Sequence, residues 1–275
     1  MSKVIATDLD GTLFYPRRKI GMIPYRNLKF CRKLINEGNE LVLVTGRSHF
    51  YTMLVEEKIE SSLDVIGMNG AFIIVDGQIK EEHFLDKEVL DLYKDITTRF
   101  NILGCMIMSK RYPLLITGPH FNWVKRLFYR IYYWTQGVYA EKFLLSRSLF
   151  QKELRSGRVY KLMFFFGLGK DGHDKANKAN KYIRERYGDS FEASWSHLFI
   201  EITPKGCSKG ESLKKYQKYK GVSDENIYVV GDSGNDISMF KEYYENSFCM
   251  KHSSPAVKKY AKHILRRFYD LQAYL

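Results

Sequence analysis

The sequence predicts an α/β protein whose core is a doubly wound parallel sheet, interrupted by an inserted α+β domain. Strand candidates near both ends of the chain are continuous apolar runs that alternate with helical segments. Such runs are typical of parallel strands covered by helices on both faces. Strand candidates in the middle of the chain instead follow one another in hairpin order. We therefore expect a core domain over residues 1–81 and 197–275 and an inserted domain over residues 82–196.

Apolar runs of strand length and apolar residues at helical spacing locate the individual elements. In the core domain they predict strands over residues 3–8, 40–45, 64–67, 72–75 and 226–230. Predicted core helices cover residues 24–36, 211–219 and 236–244, and another begins after residue 48. In the inserted domain they predict helices over 86–100 and 173–187 and strands over 102–109, 113–117, 159–166 and 191–196.

Residues 121–139 of the inserted domain combine eight aromatic side chains with three basic ones. An aromatic stripe at helical spacing is most often a helix face that packs on a sheet, and we favour that interpretation. A stacking platform for a sugar or base, or an interfacial membrane helix, would give a similar composition.

The chain has 275 residues and a net charge of +13. Its basic residues are scattered and no nucleic-acid motif accompanies them, so we expect no nucleic-acid partner. A field that attracts small anionic substrates explains the charge more simply. The four cysteines are far apart and form no CxxC pair, which indicates reduced thiols. With no signal peptide or membrane span in the sequence, we expect a cytoplasmic protein without a membrane partner. No sequence feature indicates an oligomeric state.

Two clusters of carboxylates follow predicted strands. Asp8 and Asp10 end the first strand, and Asp232 and Asp236 follow the strand over 226–230. Since ligand sites in parallel sheets lie outside the carboxyl ends of the strands, the two clusters should meet. Like charges so close together are costly unless a cation lies between them, and Mg²⁺ prefers oxygen ligands. One such pair alone would more often cap backbone amides in a turn, but two pairs predict a magnesium site.

Other polar residues at strand ends suit a phosphate group. Thr45 and Gly46 precede a helix, where a hydroxyl and backbone amides can bind phosphate oxygens. Lys209 also precedes a helix and can neutralise a phosphate as a point charge. Arg47 and Asn69 lie at strand ends and are candidate contacts to the rest of a substrate.

These segments, in this order, resemble the four motifs of the haloacid dehalogenase superfamily. DLDGTLF at 8–14 resembles its first motif, LVLVTGR at 41–47 its second, the lysine of CSKG at 207–210 its third and GDSGND at 231–236 its fourth. The insert lies between the second and third motifs. That position, with NGA at 69–71 and IEITPKGCSKG at 200–210, is similar to the Cof-type phosphatases with a type IIB cap domain.

The resemblance implies a mechanism. Asp8 would be the nucleophile that forms an aspartyl-phosphate, and Asp10 would be the general acid and base. Mg²⁺ would be held by the Asp8 carboxylate, the Asp10 main-chain carbonyl and Asp232, with Asp236 acting through water or by orienting its neighbours. The transferring phosphoryl group would be bound by a set of polar residues: Thr45, Gly46, Lys209 and Asn235, the last fixing either Lys209 or the phosphate.

The sequence thus predicts a Mg²⁺-dependent phosphatase of small phosphorylated metabolites, such as sugar phosphates. The second aspartate, Asp10, argues against a dehalogenase, because dehalogenases of the superfamily lack it. A phosphohexomutase that begins with the same chemistry remains an alternative. Another is a basic nucleic-acid or membrane-surface binding protein that has kept a phosphatase scaffold.

Overall fold

The chain forms two units, each built around its own sheet. The computed structural model describes residues 2–16, 22–118, 144–196 and 199–275. One unit, here called the core unit, comprises Met1–Glu82 and Ser208–Leu275, and the other, the inserted unit, comprises His83–Cys207. The sequence placed the second boundary after residue 196. It lies at residue 207 because the strand Phe199–Pro204 pairs with strands of the inserted unit.

The core unit contains an eight-stranded sheet. Its strands are β1 (Val4–Thr7), β2 (Glu40–Val44), β3 (Asp64–Gly67), β4 (Phe72–Val75), β5 (Gln78–Glu82), β12 (Ile227–Gly231), β13 (Ser247–Met250) and β14 (His263–Leu265). The order is β14-β13-β12-β1-β2-β3-β4-β5. Neighbours from β14 to β3 are parallel, whereas β4 and β5 complete the edge in antiparallel fashion. The predicted parallel sheet is confirmed.

The described residues form α-helices in both units. They are α1 (Tyr25–Asn36), α2 (His49–Ile59), α3 (Val89–Arg99), α4 (Arg147–Leu154), α5 (Gly169–Tyr187), α6 (Lys209–Lys220), α7 (Ile237–Glu242) and α8 (Pro255–Lys258). In the core unit, α6 and α7 bury Leu213, Tyr216, Met239 and Phe240 against β1, β2 and β12. No helix of the described residues combines the length and apolarity needed to cross a bilayer.

The inserted unit contains a six-stranded sheet with helices packed on it. Its strands are β6 (Gly104–Ser109), β7 (Leu115–Thr117), β8 (Leu144–Leu145), β9 (Val159–Phe165), β10 (Phe191–Ser196) and β11 (Phe199–Pro204), in the order β10-β11-β9-β6-β7-β8. All pairs are antiparallel except β7 with β8. The predicted aromatic segment at 121–139 lies outside the described residues.

A carboxylate joins two helices of the inserted unit. Asp95 on α3 accepts hydrogen bonds from the hydroxyls of Tyr182 and Tyr187 on α5, at 2.8 Å and 2.7 Å. The bond from Tyr187, then that from Tyr182, lowers the pKa of Asp95 below its ordinary value, because both stabilise the ionised form. This contact fixes α3 against α5 over the shared apolar core.

Candidate active site

Three polar segments meet at the carboxyl edge of the core sheet. Asp8 follows β1, Thr45 follows β2 and Asp232 follows β12, and β1 lies between β12 and β2. The Asp8 amide donates to the Val230 carbonyl at 2.9 Å, which ties the end of β1 to that of β12. Residues separated by more than two hundred positions therefore share one strand edge, where ligands bind in parallel sheets.

Lys209 lies at the centre of this edge. Its Nζ donates to Asp8 Oδ1 and to Asp236 Oδ1, each at 2.6 Å. The lysine is 1% exposed, Asp8 5% and Asp236 0%, so all three charges are withdrawn from water. A buried charge is tolerated only when it is paired and hydrogen-bonded, and here one cation satisfies two carboxylates.

Burial and neighbouring charges shift the pKa values of both Lys209 and Asp8. Burial alone would lower the pKa of Lys209, but the carboxylates of Asp236 and Asp8 outweigh it and raise that pKa above the ordinary value. Burial raises the pKa of Asp8 well above its usual range. Lys209 opposes that rise, while Asp236, Asp232 and Asp10 add to it by repulsion. The ion pair thus keeps the lysine charged.

Asp236 organises the loop that carries Asp232. Its Oδ2 accepts hydrogen bonds from the backbone amides of Asp232 and Ser233, at 2.8 Å and 2.9 Å. Its Oδ1 is bound by Lys209. Both oxygens therefore already have partners, and the role of Asp236 in orienting its neighbours stays a prediction.

Three carboxylates could hold a metal ion. One oxygen each from Asp8, Asp232 and Asp236 lies within 4.8 Å of the others. Asp232 Oδ1 also accepts a hydrogen bond from the Thr12 hydroxyl at 3.3 Å. Gly11 leaves room for this group, because a Cβ there would lie 2.4 Å from Asp232 Oδ2 and its φ is +79°. A donor set of carboxylate oxygens suits a hard cation such as Mg²⁺.

Asp10 does not join this carboxylate cluster. The two-residue spacing predicted that Asp8 and Asp10 point the same way, provided that the strand continues. The strand ends at Thr7 and the chain turns at Leu9–Leu13, so Asp10 points elsewhere. Arg47 binds it with a two-pronged ion pair, Nε to Oδ2 at 2.7 Å and Nη2 to Oδ1 at 2.9 Å. Arg47, predicted as a substrate contact, is therefore also a partner of Asp10.

The remaining predicted residues form a chain of contacts beside the carboxylates. The Thr45 hydroxyl accepts from the Arg47 amide at 3.1 Å, and the Thr45 carbonyl accepts from the Asn69 amide at 2.9 Å. Asn69 has a φ of +58°, a conformation that asparagine tolerates. Asn235 donates to the Asn69 side chain at 3.3 Å and accepts from the Ser233 hydroxyl at 2.7 Å, so its observed partners are Asn69 and Ser233. Gly46 lies between Thr45 and Arg47 at the end of β2.

Comparisons with known proteins show which family the chain belongs to. The model of the haloacid dehalogenase-like hydrolase family matches residues 5–270. The chain belongs to this family. A pyridoxal phosphate phosphatase of Escherichia coli is 25% identical, and the match covers 96% of this chain and 93% of that protein. A 5-amino-6-(5-phospho-D-ribitylamino)uracil phosphatase of Bacillus subtilis is 25% identical as well, over 87% of this chain and 84% of that protein.

Solved structures confirm the fold. A haloacid dehalogenase-like hydrolase from Bacillus subtilis superposes with a TM-score of 0.80 at 21% identity, covering 99% of both chains. A sugar phosphatase of haloacid dehalogenase subclass IIB superposes with a TM-score of 0.74 at 19% identity, covering 98% of this chain and 95% of that one. The predicted family and its combination of a parallel core sheet with an inserted domain are therefore correct.

One side chain at the site of this haloacid dehalogenase-like hydrolase was missed by the sequence analysis. His252 Nε2 lies 3.5 Å from Asp232 Oδ2. His252 comes two residues after β13, which pairs in parallel with β12. Ligand sites lie outside the carboxyl ends of parallel strands, so a predicted strand over residues 247–250 would have indicated His252. That strand was not predicted.

Proposed function

We propose that this haloacid dehalogenase-like hydrolase is a Mg²⁺-dependent phosphatase that cleaves small phosphate esters through an aspartyl-phosphate on Asp8. The observation that carries the proposal is the position of Lys209. It bridges the aspartates of the first and fourth motifs at 2.6 Å each. A dianionic phosphate that approaches anionic Asp8 needs nearby positive charge, and the buried lysine supplies it.

In the first step, a carboxylate oxygen of Asp8 forms a bond to phosphorus while the bond from phosphorus to the ester oxygen breaks. Asp10 gives its proton to the departing oxygen. In the second step, Asp10 takes a proton from water, the water oxygen bonds to phosphorus, and the bond between phosphorus and Asp8 breaks. The products are the alcohol and inorganic phosphate, and both aspartates return to their starting state.

Asp8, Asp232 and the main-chain carbonyl of Asp10 would hold the magnesium ion, and Asp236 would keep Asp232 in place. The ion would offset the charge of the phosphate oxygens. The all-oxygen cluster within 4.8 Å supports this assignment. Thr45 and Gly46, at the end of the neighbouring strand, would bind phosphate oxygens together with Lys209.

The ion pair between Arg47 and Asp10 sets a condition on the first step. A carboxylate bound by a guanidinium favours its ionised form, whereas a general acid must carry a proton. Asp10 therefore has to leave Arg47 before it protonates the departing oxygen. A phosphate dianion attracts the same guanidinium, so substrate binding would release Asp10 before the departing oxygen is protonated.

The relatives support small phosphorylated metabolites as substrates. The names of these relatives refer to pyridoxal phosphate and to a phosphorylated ribitylaminouracil. Both molecules carry one phosphate ester on a compact organic body. We infer that this chain acts on a phosphate monoester of similar size, and that sugar phosphates belong in the same screen.

The test measures release of inorganic phosphate from p-nitrophenyl phosphate and from a panel of these metabolites, with Mg²⁺ and with EDTA. We expect EDTA to abolish turnover and Asp8→Asn to lower kcat about 10³-fold or more, since removing a nucleophile removes the covalent route. Asp224→Asn, at an exposed position of the same unit, is the matched control. Turnover that survives in Asp8→Asn would refute the mechanism. Conversion of a sugar phosphate without phosphate release would identify a mutase.

A further inference from the structure

A cavity of the core unit gathers positive charge outside the cluster of candidate catalytic residues. Its volume is about 470 Å³. It is lined by basic, aromatic and acidic side chains: Tyr15, Lys251, His252, Arg266, Arg267, Tyr269 and Asp270. A cavity of this size is in the range of small-molecule sites, which span about 300–1,000 Å³.

The fold of the sheet brings these cations together. Lys251 follows β13, and Arg266 with Arg267 follows β14. The two strands are parallel, with Met250 paired to Leu265, so the positions after them are neighbours at the same edge. The Lys251 amide donates to the Leu265 carbonyl at 2.7 Å, which fixes this register. The convergence of positive charge is thus a consequence of backbone pairing.

Three of the cations that line the cavity have no acidic partner among the described residues. Within the described ranges, no carboxylate forms an ion pair with Lys251, Arg266 or Arg267. Several other lysines of the core unit do have such partners, namely Lys214, Lys215, Lys220 and Lys262. Asp270 lines the cavity, but one of its oxygens accepts from the Arg267 backbone amide at 2.9 Å. Converging like charges repel one another unless an anion lies between them.

Aromatic contacts join several side chains that line the cavity. Tyr15 stacks on His252 with ring centroids 3.9 Å apart and an angle of 24° between the planes. The Arg267 guanidinium lies 5.1 Å from the centre of the Tyr15 ring. Tyr15 is therefore already engaged by an imidazole and a cation. Ligand recognition in this cavity would depend on charge and hydrogen bonds more than on stacking.

We propose that this cavity binds a small polyanion that carries two or more phosphate groups. Two guanidinium groups and an ammonium group match several phosphate oxygens at once, and arginine binds phosphate with two parallel hydrogen bonds. The concave shape favours a small ligand over nucleic acid, whose protein partners bury extended surfaces of about 600–2,500 Å². The site does not use Asp8 or Lys209, so the proposal is independent of the catalytic mechanism.

The cavity is connected to the candidate active site by one side chain. His252 lines the cavity, and its Nε2 lies 3.5 Å from Asp232 Oδ2. A polyanion in the cavity would lie next to the imidazole that contacts a candidate metal ligand. The site is thus placed to respond to phosphorylated compounds other than the ester being cleaved.

The experiment titrates inorganic tripolyphosphate into the full chain by calorimetry, in EDTA so that metal chelation is excluded. We expect saturable binding by the unmodified protein. The double variant Lys251→Gln/Arg266→Gln should weaken it about tenfold or more, because each charged hydrogen bond lost accounts for about that factor. Its kcat and KM for p-nitrophenyl phosphate should stay within about twofold of the unmodified values, since neither side chain belongs to the catalytic cluster.

The matched control is Lys29→Gln/Lys58→Gln, which removes two charges from exposed positions on α1 and α2. It should change the affinity by no more than about twofold, because distant exposed charges are screened by salt. Equal weakening in both double variants, or no binding of tripolyphosphate by the unmodified protein, would overturn the proposal. Melting temperatures establish that the variants are folded. If the double variant unfolds, Arg266→Glu alone should abolish binding, and unchanged affinity in that variant would equally reject the site.

Discussion

Replacing Lys209 by methionine isolates the electrostatic role of the buried lysine. Methionine fills a similar volume but removes the charge that binds Asp8 and Asp236 at 2.6 Å each. Two buried carboxylates are then left without their shared cation. Removing one partner of a buried ion pair costs about 3–5 kcal/mol of the free energy of unfolding. We expect a loss of that size for Lys209→Met in EDTA near neutral pH.

The loss should depend on pH with a definite sign. The pKa of Asp8 is raised in the folded protein by burial, and Lys209 opposes that rise. A folded-state pKa above the unfolded one means that protonation stabilises the fold at low pH, and that this contribution is lost as the pH rises. Without Lys209 the pKa rises further. The deficit of Lys209→Met should therefore be largest near pH about 8 and shrink towards pH about 5.

Hydrogen exchange of peptides from β1 and β12 measures this deficit within the core unit alone. Lys214→Met is the matched control, because Lys214 lies on the same helix and its ion pair with Glu242 is at the surface. An exposed pair contributes at most about 1 kcal/mol, so the control should change little. If Lys209→Met and Lys214→Met have equal effects, or if the deficit does not vary with pH, the assigned role of the buried lysine is wrong.

Three other substitutions test separate features. Gly11→Ala places a Cβ 2.4 Å from an Asp232 carboxylate oxygen and should abolish Mg²⁺-dependent turnover. Its control is Gly77→Ala, which is also at positive φ but in open space. That control should lower the free energy of unfolding by only about 1 kcal/mol and leave turnover intact. Arg47→Lys keeps the charge but loses the two parallel hydrogen bonds that hold Asp10 and that the phosphate dianion would take over when it releases Asp10. The kcat measured in the phosphate-release assay should therefore fall about tenfold. Asp95→Asn should lower the melting temperature at neutral pH and have progressively less effect as the pH falls. The reason is that the lowered pKa of Asp95 contributes stability only where the carboxylate is ionised. A decrease in melting temperature that is equal at all pH values would contradict this explanation.

Much of the core sheet follows from short-range patterns in the sequence. Apolar runs such as residues 40–44 are fully explained by strands buried on both faces, and the polar residues after them mark the carboxyl edge. This reasoning placed Asp8, Thr45 and Asp232 at neighbouring strand ends, where the structure has them. Their catalytic and metal-binding roles remain predictions.

Features that depend on long-range pairing could not be predicted from the sequence. The strand Phe199–Pro204 is apolar enough for either sheet, and only its pairing with β9 and β10 assigns it to the inserted unit. The contact of Arg47 with Asp10 depends on where the chain turns after Thr7, which the two-residue spacing does not reveal. Lys251 and Arg266 resemble ordinary solvated residues until β13 and β14 bring them together.

The discontinuous core unit also has a consequence for the growing polypeptide on the ribosome. Strand β1 is flanked in the finished sheet by β2 and by β12, which is synthesised some two hundred residues later. The intervening inserted unit can form its own sheet while β1 still lacks one neighbour, since domains generally fold as units during translation. The hydrogen bond from the residue 8 amide to residue 230 can form only after the inserted unit has been synthesised. A nascent or truncated chain that stops before residue 227 would carry an intact inserted unit and an unfinished catalytic edge.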